Sequence, residues 1–128
     1  MRKSLAVLLL FAAVAAVAEV GSAKVKGTAE GSAIAGTVSF EDTAKGLKLA
    51  VDISGLTPGA HGFHIHEWGD CADTGKAAGG HYNPAHAGHG MALKDGPHKA
   101  HAGDAGNLVA DKDGRAVLEA VIPGVTLT

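Results

Sequence analysis

Histidine is the residue type that dominates the chemistry available to this chain. All eight histidines fall between His61 and His101. His64 and His66 stand at i and i+2, and on a β-strand such side chains leave the same face about 7 Å apart, close enough to bind one metal ion. Imidazole suits copper or zinc, with zinc favouring a tetrahedral site and copper(II) a flatter one. The alternative for this pair is two solvated histidines on a polar strand face.

A second group of ligand-type residues lies further along the chain. His101 and Asp104 offer an imidazole and a carboxylate three residues apart, and Gly103 between them allows a tight bend. Together with His81 and His89 they supply three imidazoles and one carboxylate, the composition of a closed, structural zinc site. His81 has two ring nitrogens, so it can ligate this zinc with one and reach the ion of the first histidine pair with the other.

The elements that must position these residues are short β-strands. Apolar and polar residues alternate with period two, and turn signals such as Pro-Gly and Asp-Gly separate the runs. In 128 residues with 19 glycines and 4% aromatics, and without helical periodicity, this pattern predicts a single all-β domain, an antiparallel sandwich or barrel. The six candidate strands cover residues 25–29, 34–40, 47–54, a segment from His61, 107–111 and 115–121, the last two forming a hairpin.

A long segment between Trp68 and Gly106 has no sustained period. Loops of almost forty residues are uncommon in a compact domain. Because this one contains five histidines and few large apolar residues, we expect a bound metal to supply its ordering energy. Trp68 is assigned to packing within the loop rather than to chemistry.

The N-terminus has the layout of a secretory signal peptide. Two basic residues precede an apolar stretch over residues 5–18, and small residues at 21–23 predict cleavage after Ala23, with Ala18 as the second candidate. The apolar run of about 14 residues is shorter than the ~20 needed to cross a bilayer, which argues against a membrane anchor.

These boundaries predict a signal peptide over residues 1–23 and a mature domain over residues 24–128. The mature domain would have 9 basic and 12 acidic side chains, a formal charge of −3. Nothing in this balance favours nucleic acid or an anionic membrane as partner. We expect a protein exported to the periplasm or the extracellular space, with no membrane attachment in its mature form.

Four sequence segments together resemble the copper/zinc superoxide dismutases in order and spacing. They are GFHIHE (62–67), GDC (69–71), AGGHYNP (78–84) and HAGDAGN (101–107). The resemblance covers the chain from about Val25 onward and implies a Greek-key β-barrel with copper and zinc as cofactors. The ligands that it implies are His64, His66 and His81 for copper, which are also the catalytic residues, and His81, His89, His101 and Asp104 for zinc.

The same resemblance bears on residues outside the ligand set. His61 is similar to a family histidine that braces the backbone near copper, whereas His86 and His98 do not fall at ligand spacing and are assigned to solvent or an accessory role. Cys71 matches a family half-cystine whose partner has no counterpart in this chain. We therefore expect a thiol, with burial under the loop as the alternative.

The function that the resemblance implies is conversion of superoxide to dioxygen and hydrogen peroxide, an antioxidant activity, at a copper ion bridged to zinc by His81. Superoxide is the partner implied, and a homodimer is left open.

The family's last two strands, fourth copper histidine and anion-guiding arginine have no counterpart up to Thr128, so we expect a C-terminally truncated barrel with about six of eight strands. The other hypotheses are a non-catalytic copper/zinc-binding protein derived from a dismutase, and a fragment of an ordinary one.

Overall fold

The computed structural model describes residues 17–128, and six β-strands account for most of the regular structure in this range. The strands are β1 (Val20–Lys26), β2 (Ala35–Thr43), β3 (Gly46–Ser54), β4 (Gly59–His64), β5 (Asp104–Ala110) and β6 (Ala116–Ile122). They form two antiparallel sheets, one with the order β1-β2-β3-β6 and one with β4 beside β5. A 3₁₀ segment (Asp73–Ala78) and the short helix α1 (Ala92–Asp95) lie in the connection from β4 to β5. The predicted all-β class with six strands is confirmed.

The core lies between the two sheets and follows the predicted alternation. Strand β3 supplies its centre, because it pairs with β2 on one side and with β6 on the other. Leu108 and Ala110 of β5 close over the same cluster from the second sheet. Every second residue of β3 is at most 4% exposed, namely Leu47, Leu49, Val51 and Ile53.

The first strand begins earlier than the sequence pattern predicts. The expected range was 25–29, whereas β1 covers Val20–Lys26 and pairs with β2 from Val20 opposite Glu41 to Lys26 opposite Ala35. Residues after Lys26 turn instead, with Gly31 at a φ of +72°. The residue range of β1 is therefore determined by its pairing with β2, since the residues of β1 are mostly exposed and show little apolar alternation.

The predicted hairpin at Asp113-Gly114 forms its turn but not its ladder. The Asp111 N–H donates to the Arg115 carbonyl at 2.9 Å, and Asp111 Oδ1 accepts from the N–H groups of Asp113 and Arg115. Beyond that turn β5 pairs with β4, and β6 pairs with β3. The turn is thus a corner between the two sheets, and it allows the inward faces of β5 and β6 to share one core cluster.

The long connection between β4 and β5 is partly ordered by burial. Ala92, Ala100 and Ala102 are at most 1% exposed and lie in the core cluster that contains Leu49. Alanine carries little apolar surface, so these positions are not conspicuous as core residues in the sequence. Apolar burial therefore contributes to the order of this loop, beside the metal ligation that we expect from its histidines.

The apolar stretch predicted to be a signal peptide lies almost entirely outside the described residues, which begin at residue 17. From residue 17 onward, no helix combines the length and the apolarity needed to cross a membrane.

Leu49 provides a test of this core. Its side chain is fully buried, so Leu49→Ala is expected to lower the free energy of unfolding by about 2–5 kcal/mol through lost burial and the cavity left behind. Val117→Ala is the matched control on the neighbouring strand, because Val117 is 65% exposed and its truncation should change stability by less than about 0.5 kcal/mol. Urea unfolding of the two variants checks the difference, and equal losses would contradict the assigned orientation of the sheet.

Candidate metal centre

The candidate ligands gather where β4 ends and β5 begins. His64 is the last residue of β4 and lies opposite Asp104, the first residue of β5. Two residues beyond the strand, His66 forms an isolated antiparallel bridge with His81. The predicted His-x-His pair is thus split, with one member on the strand and the other on the bridge that follows.

Three backbone hydrogen bonds join the chain segments that contain these ligands. The Ile65 N–H donates to the Gly103 carbonyl at 2.9 Å, the Gly103 N–H to the Tyr82 carbonyl at 2.8 Å, and the Tyr82 N–H to the Ile65 carbonyl at 2.8 Å. We call this closed circuit the three-way junction. The predicted tight bend between His101 and Asp104 does form, because the Asp104 N–H donates to the His101 carbonyl at 2.9 Å. Gly103 has no positive φ in this bend, so the close contact of backbones, and not the conformational freedom of glycine, accounts for the residue.

The predicted zinc ligands are brought together. His81, His89, His101 and Asp104, here called the four-donor group, place one ligand atom each within 4.8 Å of all the others. The Asp104 carboxylate is at their centre. Its Oδ1 lies 2.6 Å from His81 Nδ1, and its Oδ2 lies 3.5 Å from His101 Nδ1 and 3.9 Å from His89 Nδ1.

One buried ring nitrogen in this group, Nδ1 of His101, lacks a hydrogen-bond partner. Its 3.5 Å approach to Asp104 lacks hydrogen-bond geometry. An unsatisfied buried polar atom is unfavourable unless something pairs with it. Three imidazoles and a carboxylate are a donor set that zinc prefers, so the residues present fit a zinc ion.

The protonation states around the site favour a bound cation. Burial would raise the pKa of Asp104, but hydrogen bonds from the Gly90 N–H and from His81, with the nearby His101, outweigh burial and hold the pKa of the carboxyl below its usual value. Burial, and then the neighbouring His81, lower the pKa of His64. At neutral pH the carboxylate is therefore charged and the His64 imidazole neutral, the forms in which both bind metals.

The predicted copper ligands are adjacent, but their donor atoms do not converge. We call His64, His66 and His81 the copper trio. The ring of His81 stacks on His64 with centroids 4.0 Å apart and meets His66 edge-to-face at 5.2 Å. His66 Nδ1 is 3.0 Å from the Gly79 carbonyl, which leaves Nε2 for a metal. Within residues 17–128, the four-donor group is the only convergent set of potential metal ligands.

The remaining singled-out residues lie outside both groups. His61 Nε2 is 2.7 Å from the Thr57 carbonyl, a contact that braces the turn before β4. His86 is exposed in the loop with a φ of +51°, and His98 is also exposed. Cys71 is an exposed thiol, so the alternative of a buried, inert cysteine is wrong.

The packing role predicted for Trp68 describes only part of that side chain. Its ring lies against Gly79, where an added Cβ would approach within 2.7 Å, yet 65% of the residue remains exposed. Sequence reasoning also missed the backbone groups that hold the ligands, the Gly79 carbonyl and the Gly90 N–H. Each belongs to a glycine adjacent to or near a histidine, and only that proximity marks them in the sequence.

Comparison with known proteins identifies the family. The family model described as copper/zinc superoxide dismutase (SODC) matches residues 34–128. The chain belongs to the copper/zinc superoxide dismutase family. Its relatives include the superoxide dismutase [Cu-Zn] of Paramecium bursaria Chlorella virus 1, 45% identical over 86 residues, which are 65% of this chain and 43% of the viral protein. The extracellular superoxide dismutase [Cu-Zn] of Brugia pahangi is 40% identical over 86 residues, 67% of this chain and 42% of that protein.

The chain spans about half the length of the curated relatives that it matches. The superoxide dismutase [Cu-Zn] of Onchocerca volvulus is 40% identical over 88 residues, 67% of this chain and 54% of that protein. A further relative, 42% identical over 83 residues, is the extracellular superoxide dismutase [Cu-Zn] of Caenorhabditis elegans, with 65% of this chain and 36% of that protein covered. Family membership implies copper and zinc as the cofactors of the site.

Asp104 is the residue whose loss should most affect zinc binding. Asp104→Ala removes the carboxylate at the centre of the four-donor group, and zinc affinity is expected to fall by more than about 100-fold, beyond the range typical for losing an outer-shell partner. His86→Ala is the control in the same loop and should change the affinity by less than about twofold, since His86 is not in the group. Competition titration with a chromophoric chelator measures both, and similar losses would refute the assigned ligands.

Proposed function

We infer that this protein is a superoxide dismutase, converting two superoxide ions and two protons to dioxygen and hydrogen peroxide. The observation that carries the proposal is the place of His81. Its Nδ1 belongs to the four-donor group, 2.6 Å from Asp104, while its ring contacts the rings of both His64 and His66. One imidazole is thus shared between a candidate zinc site and a candidate copper site, in a chain that belongs to a family named for both metals.

The proposal gives each metal its own ligands. Zinc would be held by the four-donor group, and copper by His64, His66 and His81 as the bridging residue. When bound, copper supplies the one-electron oxidation of one superoxide and the one-electron reduction of the next. The protein must then supply orientation of these ligands and protons for the product.

His81 has the contacts to handle a proton. Asp104 Oδ1 engages Nδ1 and so sets the orientation of the ring, which leaves Nε2 as the nitrogen not engaged by the carboxylate. We propose that Nε2 of His81 carries a proton during turnover and delivers it to the reduced substrate. On the copper side, the Gly79 carbonyl accepts from His66 Nδ1, which fixes the orientation of that ring and leaves Nε2 as its nitrogen for copper.

A second candidate function is non-catalytic binding of zinc or copper. The observation in its favour is the asymmetry between the two groups, because the zinc donors converge while the copper donors do not. A protein that buffers zinc needs only the four-donor group. The two functions differ in whether the metal-loaded chain consumes superoxide.

Superoxide decay in the presence of the copper- and zinc-loaded chain separates these functions. We expect His64→Ala to lower the copper-dependent rate by at least about tenfold, because it removes one predicted copper ligand without altering the four-donor group. His98→Ala should leave the rate within about twofold, and the chain loaded with zinc alone should be inactive. A chain that binds both metals with no superoxide decay above buffer would establish the second candidate instead.

We also propose that the protein is exported after cleavage of a signal peptide. The basic start followed by an apolar stretch supports this, and two relatives are named as extracellular enzymes.

Of the two candidate cleavage positions, cleavage after Ala18 is the one that keeps all of β1 in the mature protein. The Asp42 N–H donates to the Glu19 carbonyl at 2.9 Å, and all of β1 from Val20 onward pairs with β2. Cleavage after Ala23 would remove the first four residues of that strand.

Intact-mass measurement of the exported protein tests the cleavage position. We expect a mature N-terminus at Glu19, because a chain that keeps all of β1 retains its pairing with β2. Ala18→Tyr should block processing by placing a large residue at the cleavage position, and Ala23→Tyr should leave it unchanged. A mature N-terminus at Lys24 would refute the proposed position.

A further inference from the structure

We propose that Gly103 is a positioning residue of this metal centre, and that its missing side chain is what allows the two groups of ligands to lie side by side. The proposal rests on the proposed function, since it concerns the ligands assigned there. It adds a residue that touches neither metal nor substrate and acts through the three-way junction.

The junction connects three segments, and each segment contains candidate ligands. Ile65 lies between His64 and His66, Tyr82 follows His81, and Gly103 precedes Asp104. Each of the three junction residues donates one backbone hydrogen bond and accepts one from another member, at 2.8 to 2.9 Å. The relative positions of the three ligand-bearing segments are therefore fixed by main-chain contacts, before any metal is considered.

Gly103 is the member of the junction that tolerates no side chain. A Cβ at this position would lie 2.2 Å from the Ile65 carbonyl oxygen and 3.0 Å from the Tyr82 nitrogen. Both neighbours are backbone atoms, so neither can rotate away as the tip of a side chain could. Since the φ of Gly103 is not positive, the requirement for glycine is one of space.

An added methyl group would separate the ligands from one another. To reach ordinary van der Waals distance, the backbone at Ile65 must retreat by about 1 Å from Gly103, and this movement opens two of the junction's hydrogen bonds. His64 and His66 would move with Ile65, and His81 with Tyr82, which the added Cβ also crowds, whereas Asp104 would stay with β5. The donors of the four-donor group would therefore separate as well as those of the copper trio. A displacement of about 1 Å is enough to weaken metal binding at a site whose donor atoms must converge on one ion.

Cobalt(II) is a suitable probe, because its visible absorption reports the geometry of the donors around it. We would titrate the metal-free full chain, Gly103→Ala and Gly88→Ala with cobalt(II), and follow thermal unfolding of each metal-free protein. Gly88 is the matched control, since it is exposed in the same loop and a Cβ there meets nothing within 4 Å.

We expect Gly103→Ala to weaken cobalt binding at least tenfold and to change the spectrum at saturation, while Gly88→Ala stays within twofold with the wild-type spectrum. A variant that is merely less stable would keep the wild-type spectrum once saturated, so a wild-type spectrum at saturation for Gly103→Ala, with or without a loss of affinity, would overturn the inference. Failure of the wild-type chain itself to bind cobalt would instead overturn the proposed function.

Amide hydrogen exchange of the wild-type protein covers the case in which Gly103→Ala does not fold. If the junction is one closed circuit, the amides of Ile65, Tyr82 and Gly103 open together, so their protection factors agree within about threefold and exceed that of the exposed Gly88. Protection factors that match that of Gly88, or that differ from one another by more than tenfold, would overturn the inference.

Discussion

A buried carboxylate is the constraint around which the metal centre is organised. Within residues 17–128, Asp104 is the only charged residue in the buried interior, at 4% exposure. A buried charge is costly unless hydrogen bonds and opposite charge compensate it. Asp104 obtains this compensation from the Gly90 N–H and from His81, and it has His101 and His89 nearby. These contacts hold the loop over the carboxylate.

The two sheets determine where that carboxylate lies. Asp104 begins β5 directly opposite the end of β4, and beyond this pair the ladder gives way to the three-way junction, where the loop joins the two strands. The alanines of the connection lie in the core cluster below it, which anchors the loop from the other side. Two kinds of contact therefore order the connection from β4 to β5. Its alanines are buried in the apolar core, and its polar groups contact Asp104.

Much of this arrangement could be predicted from the sequence, and the failures have identifiable causes. Period-two alternation located β3 because every inward residue is large and apolar. It misplaced β1, an edge strand whose residues are mostly exposed and whose range depends on its partner. The Asp-Gly signal identified a turn but could not say that the chain changes sheets there, because a local signal contains no information about which distant strand each arm pairs with.

The site shows the same limit at the level of single residues. Ligand types and spacing selected His81, His89, His101 and Asp104 correctly as one neighbourhood. Beside the His81–Asp104 hydrogen bond, the Gly90 N–H holds the Asp104 carboxylate, and the Gly79 carbonyl holds His66 of the copper trio. Both glycines act through main-chain groups, which no side chain marks in the sequence. Gly103 was noticed for flexibility, whereas its packing against Ile65 and Tyr82 becomes visible only when the three segments are seen together.

Charge also explains why one group of ligands converges and the other does not. The four-donor group contains an anion, and His81 hydrogen-bonds to it while the Nδ1 atoms of His101 and His89 lie within 3.9 Å of it. The copper trio consists of three imidazoles only. Neutral rings whose lone pairs point at one position repel each other unless a cation lies between them, and here His64 stacks on His81 with its Nδ1 3.7 Å from Asp104 instead. The carboxylate at the centre of the four-donor group therefore also lies near a member of the copper trio, and His81 belongs to both groups.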